Sequence, residues 1–208
     1  MAGMIDRRQA LALGAAAIAA PAVARGPRDP FLWGAATAGH QVEGNNINAD
    51  IWLLEQMKPT LFAEPSGDAC DSLHRWDEDV AIVEALGLTA YRFSVEWARI
   101  EPAEGQFSQA FLDHYARIVD RCRASGLAPV VTFNHFTTPR WFAARGGWEA
   151  PDAPMLFARY CDRVARAMAH GISHALTFNE PNLSIGGPWS RFQPSAKMRA
   201  TTQAMIAA

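Results

Sequence analysis

The triplet Asn179-Glu180-Pro181 closes an apolar run over residues 175–178. A carboxyl group there stands where a buried strand runs out, and the proline beyond it cannot extend the strand's hydrogen-bond ladder. In a barrel of alternating strands and helices, the side chains at that edge carry the chemistry. Glu180 is therefore a candidate general acid, a group that delivers a proton to a departing atom. Other polar side chains recur just past strand-like runs: Gln41 and Glu43, Glu96, Asn134 and His135, and Asn179 itself.

The elements that must hold these residues alternate along the chain. Strand-like runs cover 31–37, 90–97, 128–135 and 174–180, and three segments of helical period lie between them. Leu73, Trp76, Val80, Val83 and Leu86 share one face, with Gly87 placed to end the helix. Phe111, Tyr115, Ile118 and Cys122 form a second stripe, with Ser108 as N-cap and Gly126 as stop. Phe157, Cys161, Val164 and Met168 form a third, with Pro154 near its start and Gly171 at its end. Strand–helix alternation with crossovers of this length gives a parallel sheet.

Doubly wound sheets and closed barrels both satisfy that alternation, and ligand motifs separate them. No G-x-G-x-x-G follows the first strand and no G-K-S/T loop occurs. Polar residues converging on one rim from several strands favour the barrel. Residues 38–70 read as a long loop marked by Gly44, Asn45, Asn46, Pro59, Pro65 and Gly67. The tail 184–208 contains Gly186-Gly187-Pro188 and ends within a weakly helical stretch. The expected fold is an α/β chain forming the N-terminal half, about four β/α units, of a (β/α)8 TIM barrel, cut short in its fourth helix.

Bulk composition narrows the function classes. The 208 residues are 50% hydrophobic and 19% charged with a net charge of −2, as for one soluble globular domain. That balance gives no electrostatic case for nucleic acid or an anionic membrane. Cys70, Cys122 and Cys161 form no C-x-x-C pair, and the last two sit on apolar stripes, so core packing is expected of them. The six histidines lack metal-ligand spacing, so neither a metal nor another cofactor is expected. Trp33, Trp97 and Trp148 are assigned to packing.

Residues 1–24 differ from the rest. Asp6-Arg7-Arg8 precedes a short apolar stretch, and Ala22-Val23-Ala24 has the A-x-A form of a cleavage site. This is the layout of a twin-arginine-type signal peptide, with residues 25–208 as the mature barrel domain, exported to the periplasm or beyond. An amphipathic helix packed on the domain is the alternative. The stretch falls short of the roughly 20 residues a membrane span requires.

In order, four blocks of the chain resemble the N-terminal half of the family-one glycoside hydrolases, the β-glucosidases and their relatives. They are the opening strand through Gln41-Val42-Glu43-Gly44, Tyr91-Arg92-Phe93-Ser94-Val95-Glu96-Trp97, Thr132-Phe133-Asn134-His135 with Gly146-Gly147-Trp148 after it, and Thr177-Phe178-Asn179-Glu180-Pro181. The resemblance implies a retaining β-glycosidase, in which one carboxyl protonates the leaving oxygen and a second attacks the anomeric carbon. It makes Glu180 the acid/base, enclosed beside an anionic nucleophile. It assigns Asn179 to the sugar's 2-hydroxyl, Gln41 and His135 to hydroxyls further round the ring, and Arg92 to the barrel interior near the nucleophile.

On the residues alone, other roles stay open: Glu180 in a rim salt bridge, His135 as a satisfied core histidine, Gln41 capping a loop, Arg92 paired with Glu96. The chain also departs from the family. No T-E-N-G-like nucleophile block occurs, Glu96 stands where many β-glucosidases have serine, Phe136-Thr137 replace a more usual Trp-Asp, and no Pro-Gly loop follows Pro181. The expected partner is a β-linked glycoside. The alternative is an inactive sugar-binding remnant, or a half-barrel that needs a complementary chain and self-associates through its open sheet edges. Aldol or isomerase chemistry is disfavoured, because Lys58 and Lys197, the two lysines, lie on no strand.

Overall fold

Four short parallel strands pair in the order in which they occur: β1 (Gly34–Ala36), β2 (Ala90–Ser94), β3 (Ala128–Asn134) and β4 (His174–Phe178). The computed structural model describes residues 31–60 and 62–181, and every element below belongs to the unit that begins at Trp33. The signal-type segment 1–24, the tail 184–208 and the segment after Pro181 where a Pro-Gly loop was sought lie outside the described residues. Gly34 stands opposite Ala90, Ala90 opposite Ala128, and Val130 opposite His174. A doubly wound sheet reverses its order at a switch point. No reversal occurs across these four strands, as in a barrel.

Among the described residues seven helices of α type connect or flank the strands. They include the main crossovers α3 (Ser72–Ala85), α5 (Gln109–Ala124) and α7 (Ala153–Met168). The expected loop 38–70 contains two helices, α1 (Gly39–Val42) and α2 (Asp50–Gln56), where turn-forming residues obscure any apolar period. Strand β2 ends earlier than expected because Trp97–Ile100 coils into a short helix, α4. A further short helix, α6 (Arg140–Ala144), and a 3-10 turn at Gly147–Glu149 follow β3. The last described residue, Pro181, is helical in conformation, at the edge of the described chain.

Alternation along β2 sends Tyr91 and Phe93, with rings 5.6 Å apart, into the layer between sheet and helices. It sends Arg92 and Ser94 to the opposite face, where the barrel interior would be. Trp97 is the hub of the helix-side core, stacked on Tyr160 at 5.0 Å and tilted against Phe142 at 4.7 Å. Burial of Trp97, Trp148 and Cys122 agrees with their packing assignment, and Cys161 is partly buried against the same core. Two apolar assignments fail. Trp33 and Leu86 are exposed, the first before β1 and the second just past α3.

Ser108 caps α5 as expected, accepting the Phe111 N–H. Gly171 does not close α7 with a left-handed turn. Its place is fixed by crowding instead, since a Cβ there would lie 2.3 Å from Val119 Cγ1 on α5. That close approach sets the spacing of α5 and the start of β4.

Candidate active site

The residues that the resemblance assigns to a sugar are brought to the C-terminal ends of the strands by the turns that follow them. Gln41 lies on α1, immediately after β1, and shares a cleft of about 360 Å³ with His135, Phe136 and Thr137 from the turn after β3. His40 and Glu55 line the same cleft and bond to each other at 2.9 Å. Helix α1 sits close to the sheet because Ser94 Oγ accepts the Gly39 N–H at 2.7 Å. Residue 39 must be glycine there: a Cβ would stand 2.6 Å from the Glu96 side chain. The Gln41 side chain is exposed to the cleft and caps no described loop.

His135 is presented by a tight three-residue turn. Thr137 N–H donates to the His135 carbonyl at 2.9 Å across Phe136, whose φ of 71° is uncommon for a large side chain. Such backbone outliers cluster where a site needs a fixed geometry. Burial, and then the positive charge of Arg92, depress the imidazole pKa to about 4, so the ring is neutral at pH 7. Its Nδ1 is buried without a hydrogen-bond partner among the described residues. His135 is thus not a satisfied core histidine.

Arg92 does not pair with Glu96. Its Nε donates to Thr132 Oγ1 at 2.9 Å and its Nη2 to Asn179 Oδ1 at 2.5 Å. With its oxygen on Arg92, the Asn179 amide has its NH2 to offer a ligand as a donor. The Asn179 backbone N–H is anchored on the Asn134 carbonyl at 2.8 Å, which ties the end of β4 to the end of β3. Gln41 and His135 therefore share a cleft, and Arg92 and Asn179 share a bond one strand further on.

Glu180 stands apart from both groups. It is exposed, has a φ of 45°, and makes no hydrogen bond to any described residue. Neither the rim salt bridge nor the expected enclosure beside an anion is realised among the described residues. Among the described residues β4 has no neighbour on its far side to cover that carboxyl.

Beneath the cleft lies a buried polar network, built in part from residues just past the strand ends. Glu43 Oε2 accepts from Arg99 Nε at 2.8 Å, and Glu43 Oε1 from Tyr115 OH at 3.0 Å. Tyr115 OH in turn accepts the Glu96 N–H at 3.2 Å. Glu96 and Arg99, three apart in Glu96-Trp97-Ala98-Arg99, were the available signal: charged residues spaced at one helical turn among apolar neighbours. Burial, then the nearby Glu96 charge, push the Glu43 pKa up to about 7, against the pull of Arg99 and Tyr115.

That shift has a sign that stability measurements can read. Between the ordinary value of 4.5 and about 7, folded Glu43 holds a proton that the unfolded chain has released. Its contribution is full below 4.5 and is lost as pH rises to about 7. His135 and His114, both depressed from 6.5 to about 4, act oppositely, losing their contribution as pH falls through that window. The melting curve of the wild type alone therefore mixes both trends. Relative to wild type, Glu43→Gln is expected to gain melting temperature steadily as pH is raised from about 5 to about 8, and parallel curves in calorimetry would contradict this.

Strands paired in chain order, with amide, imidazole and carboxyl side chains at their C-terminal ends, give the layout of the front half of a (β/α) barrel. The family model described as Glycosyl hydrolase family 1 matches residues 25–205, and the chain belongs to that family. It is 39% identical over 158 residues to Thermostable beta-glucosidase B of Thermobispora bispora, an alignment covering 74% of this chain and 33% of that protein. It is 38% identical over 166 residues to a Beta-glucosidase of Agrobacterium sp., covering 76% and 36%. Among solved structures it is similar to beta-glycosidase BGL167, with 52% identity, a TM-score of 0.75, and coverage of 86% of this chain and 45% of that one. The Beta-glucosidase from Thermotoga maritima in complex with castanospermine superposes with a TM-score of 0.81 at 30% identity, covering 88% and 45%. The chain thus spans about a third of the length of the curated relatives it matches.

Proposed function

We propose that this chain supplies the acid/base half of a retaining β-glycosidase site. Glu180 protonates the glycosidic oxygen and later deprotonates the incoming water, while Asn179, Gln41 and His135 bind the hydroxyls of one sugar ring. Arg92 fixes the Asn179 amide and places positive charge at the barrel interior. The second carboxylate of such a site lies outside this sequence, in which no T-E-N-G-like block occurs. The observation that carries this reading is the cleft shared by Gln41 and His135, an exposed amide and a neutral imidazole brought together at the strand ends. Relatives solved with glycosidase inhibitors extend it to β-linked glycosides.

One observation favours a second reading. Among the described residues β1 and β4 each pair on one side only, and most of β4 is exposed, as in a half-barrel awaiting a complementary chain. A single experiment tests both readings. The chain is assayed on para-nitrophenyl β-D-glucoside alone and mixed with a polypeptide carrying strands five to eight of a family-one barrel, with the size of each sample followed by sedimentation. Hydrolysis with retained anomeric configuration, seen when the carboxylate partner is supplied, is the expected outcome. A stable mixed complex that cleaves no β-glycoside, or cleaves with inversion, overturns the enzyme reading.

A further inference from the structure

The Glu96 carboxylate is almost fully buried at the end of β2, yet its hydrogen bonds come from neutral groups. Asn46 Nδ2 and Thr137 Oγ1 each donate to Oε2 at 2.7 Å, and Ser94 Oγ approaches Oε1 at 3.3 Å. A buried carboxylate with no cation bonded to it is costly to keep, so its retention calls for a reason. One follows from where the two donors sit. Asn46 belongs to the segment after β1 that carries Gln41, and Thr137 belongs to the turn after β3 that carries His135. A single oxygen therefore ties together the two loops that meet at the cleft.

The Thr137 end of this tie is the more consequential. Thr137 completes the turn across Phe136, whose left-handed backbone persists only where its surroundings hold it. Asn134 Nδ2 holds the Thr137 carbonyl at 2.8 Å, and Glu96 holds its hydroxyl.

We propose that Glu96 is a positioning residue for His135, acting through Thr137 to hold the aim of the imidazole into the cleft. The proposal rests on the reading of His135 as a sugar-facing group. A rival tie exists in the neighbouring residue: Asp50 accepts from Thr138 N–H at 2.8 Å and from Thr138 Oγ1 at 2.9 Å. If Asp50 alone fixed the loop, Glu96 would be dispensable to His135.

The test uses the whole 208-residue chain with isotope-labelled histidine, the His135 ring signal being assigned by its loss in His135→Gln. Glu96→Gln keeps an acceptor for both donors and is expected to leave the His135 signal within a linewidth of wild type. Glu96→Ser is expected to displace it, and Glu96→Ser combined with Thr137→Asp to bring it back. A folded Glu96→Ser protein with an unmoved His135 signal overturns the proposal. If Glu96→Ser fails to fold, the double variant decides: recovery of both folding and signal supports the pair, and failure to recover them overturns it. Added glucose gives an independent reading. A wild-type His135 signal indifferent to glucose counts against the glycoside site while leaving the positioning result intact.

Discussion

Glu180→Gln is expected to lower the turnover of a β-glucoside with a poor leaving group by roughly 10²–10⁴-fold in the complemented enzyme, the usual worth of a positioned proton donor. In barrier terms this is about 3–5 kcal/mol. The loss should shrink for a substrate whose leaving group needs no proton, and azide should restore part of that rate, because azide attacks the glycosyl-enzyme without a general base. The substitution is nearly isosteric at an exposed position with no hydrogen bond to a described residue. Stability should therefore change by no more than about 0.5 kcal/mol, and a melting curve separates lost chemistry from lost fold. The backbone at this point is independently fixed by the Asn179 N–H on the Asn134 carbonyl, so the amide would occupy the place of the acid. Undiminished turnover by Glu180→Gln on the demanding substrate would remove the residue from the mechanism.

The exposure of Glu180 explains why this prediction must be read in the complemented enzyme. A general acid works best in a site that excludes water and holds a second charge nearby. Neither condition is met by the described residues, and both would be supplied by strands closing against β4. The same reasoning sorts what was legible in the sequence. Strand and helix periods are local, so the four parallel strands and their three crossover helices could be read from Val, Phe and Tyr spacings alone. Motif residues at strand ends could be placed on one rim for the same reason. Partnerships made by folding could not. Nothing local in Arg92 says that it reaches Asn179, 87 positions away, in preference to Glu96 on its own strand. The two helices within 38–70 were masked by Asn, Gly and Pro, whose usual message is turn rather than helix. Gly171 follows its helix as expected, but the approach of two elements that fixes it there is something no periodicity records. Of the charged floor only the Glu96–Arg99 spacing was visible, because a buried Glu43 and an exposed glutamate look alike in a sequence.

That floor yields the other large effect. Arg99→Met is expected to lower the unfolding free energy by about 3–5 kcal/mol in urea denaturation, the cost of leaving a buried charge without its partner. Arg99 is the cation of the network: it donates to Glu43 Oε2 and to the Gly44 carbonyl, and its guanidinium lies 5.7 Å from the Phe111 ring centre. Gly44 has little freedom to adjust, since its φ is 79° and a Cβ there would stand 2.2 Å from the Asp68 carbonyl oxygen. Methionine replaces the stem of the arginine but neither its charge nor its donors. Adding Glu43→Leu should return part of the loss, because an apolar pair buries no orphaned charge, even though two polar contacts have gone. The penalty of the single variant should also depend on pH. Without Arg99, which pulls the Glu43 pKa down, the carboxyl binds its proton more tightly than at the present value of about 7. Near pH 5 it is protonated in either protein and the missing cation matters least; near pH 8 the wild type can ionise it beside Arg99 and the variant cannot without an uncompensated buried anion. A penalty that stays flat across this range would mean that Arg99 contributes through packing and its bond to Gly44, and not through the charge of Glu43.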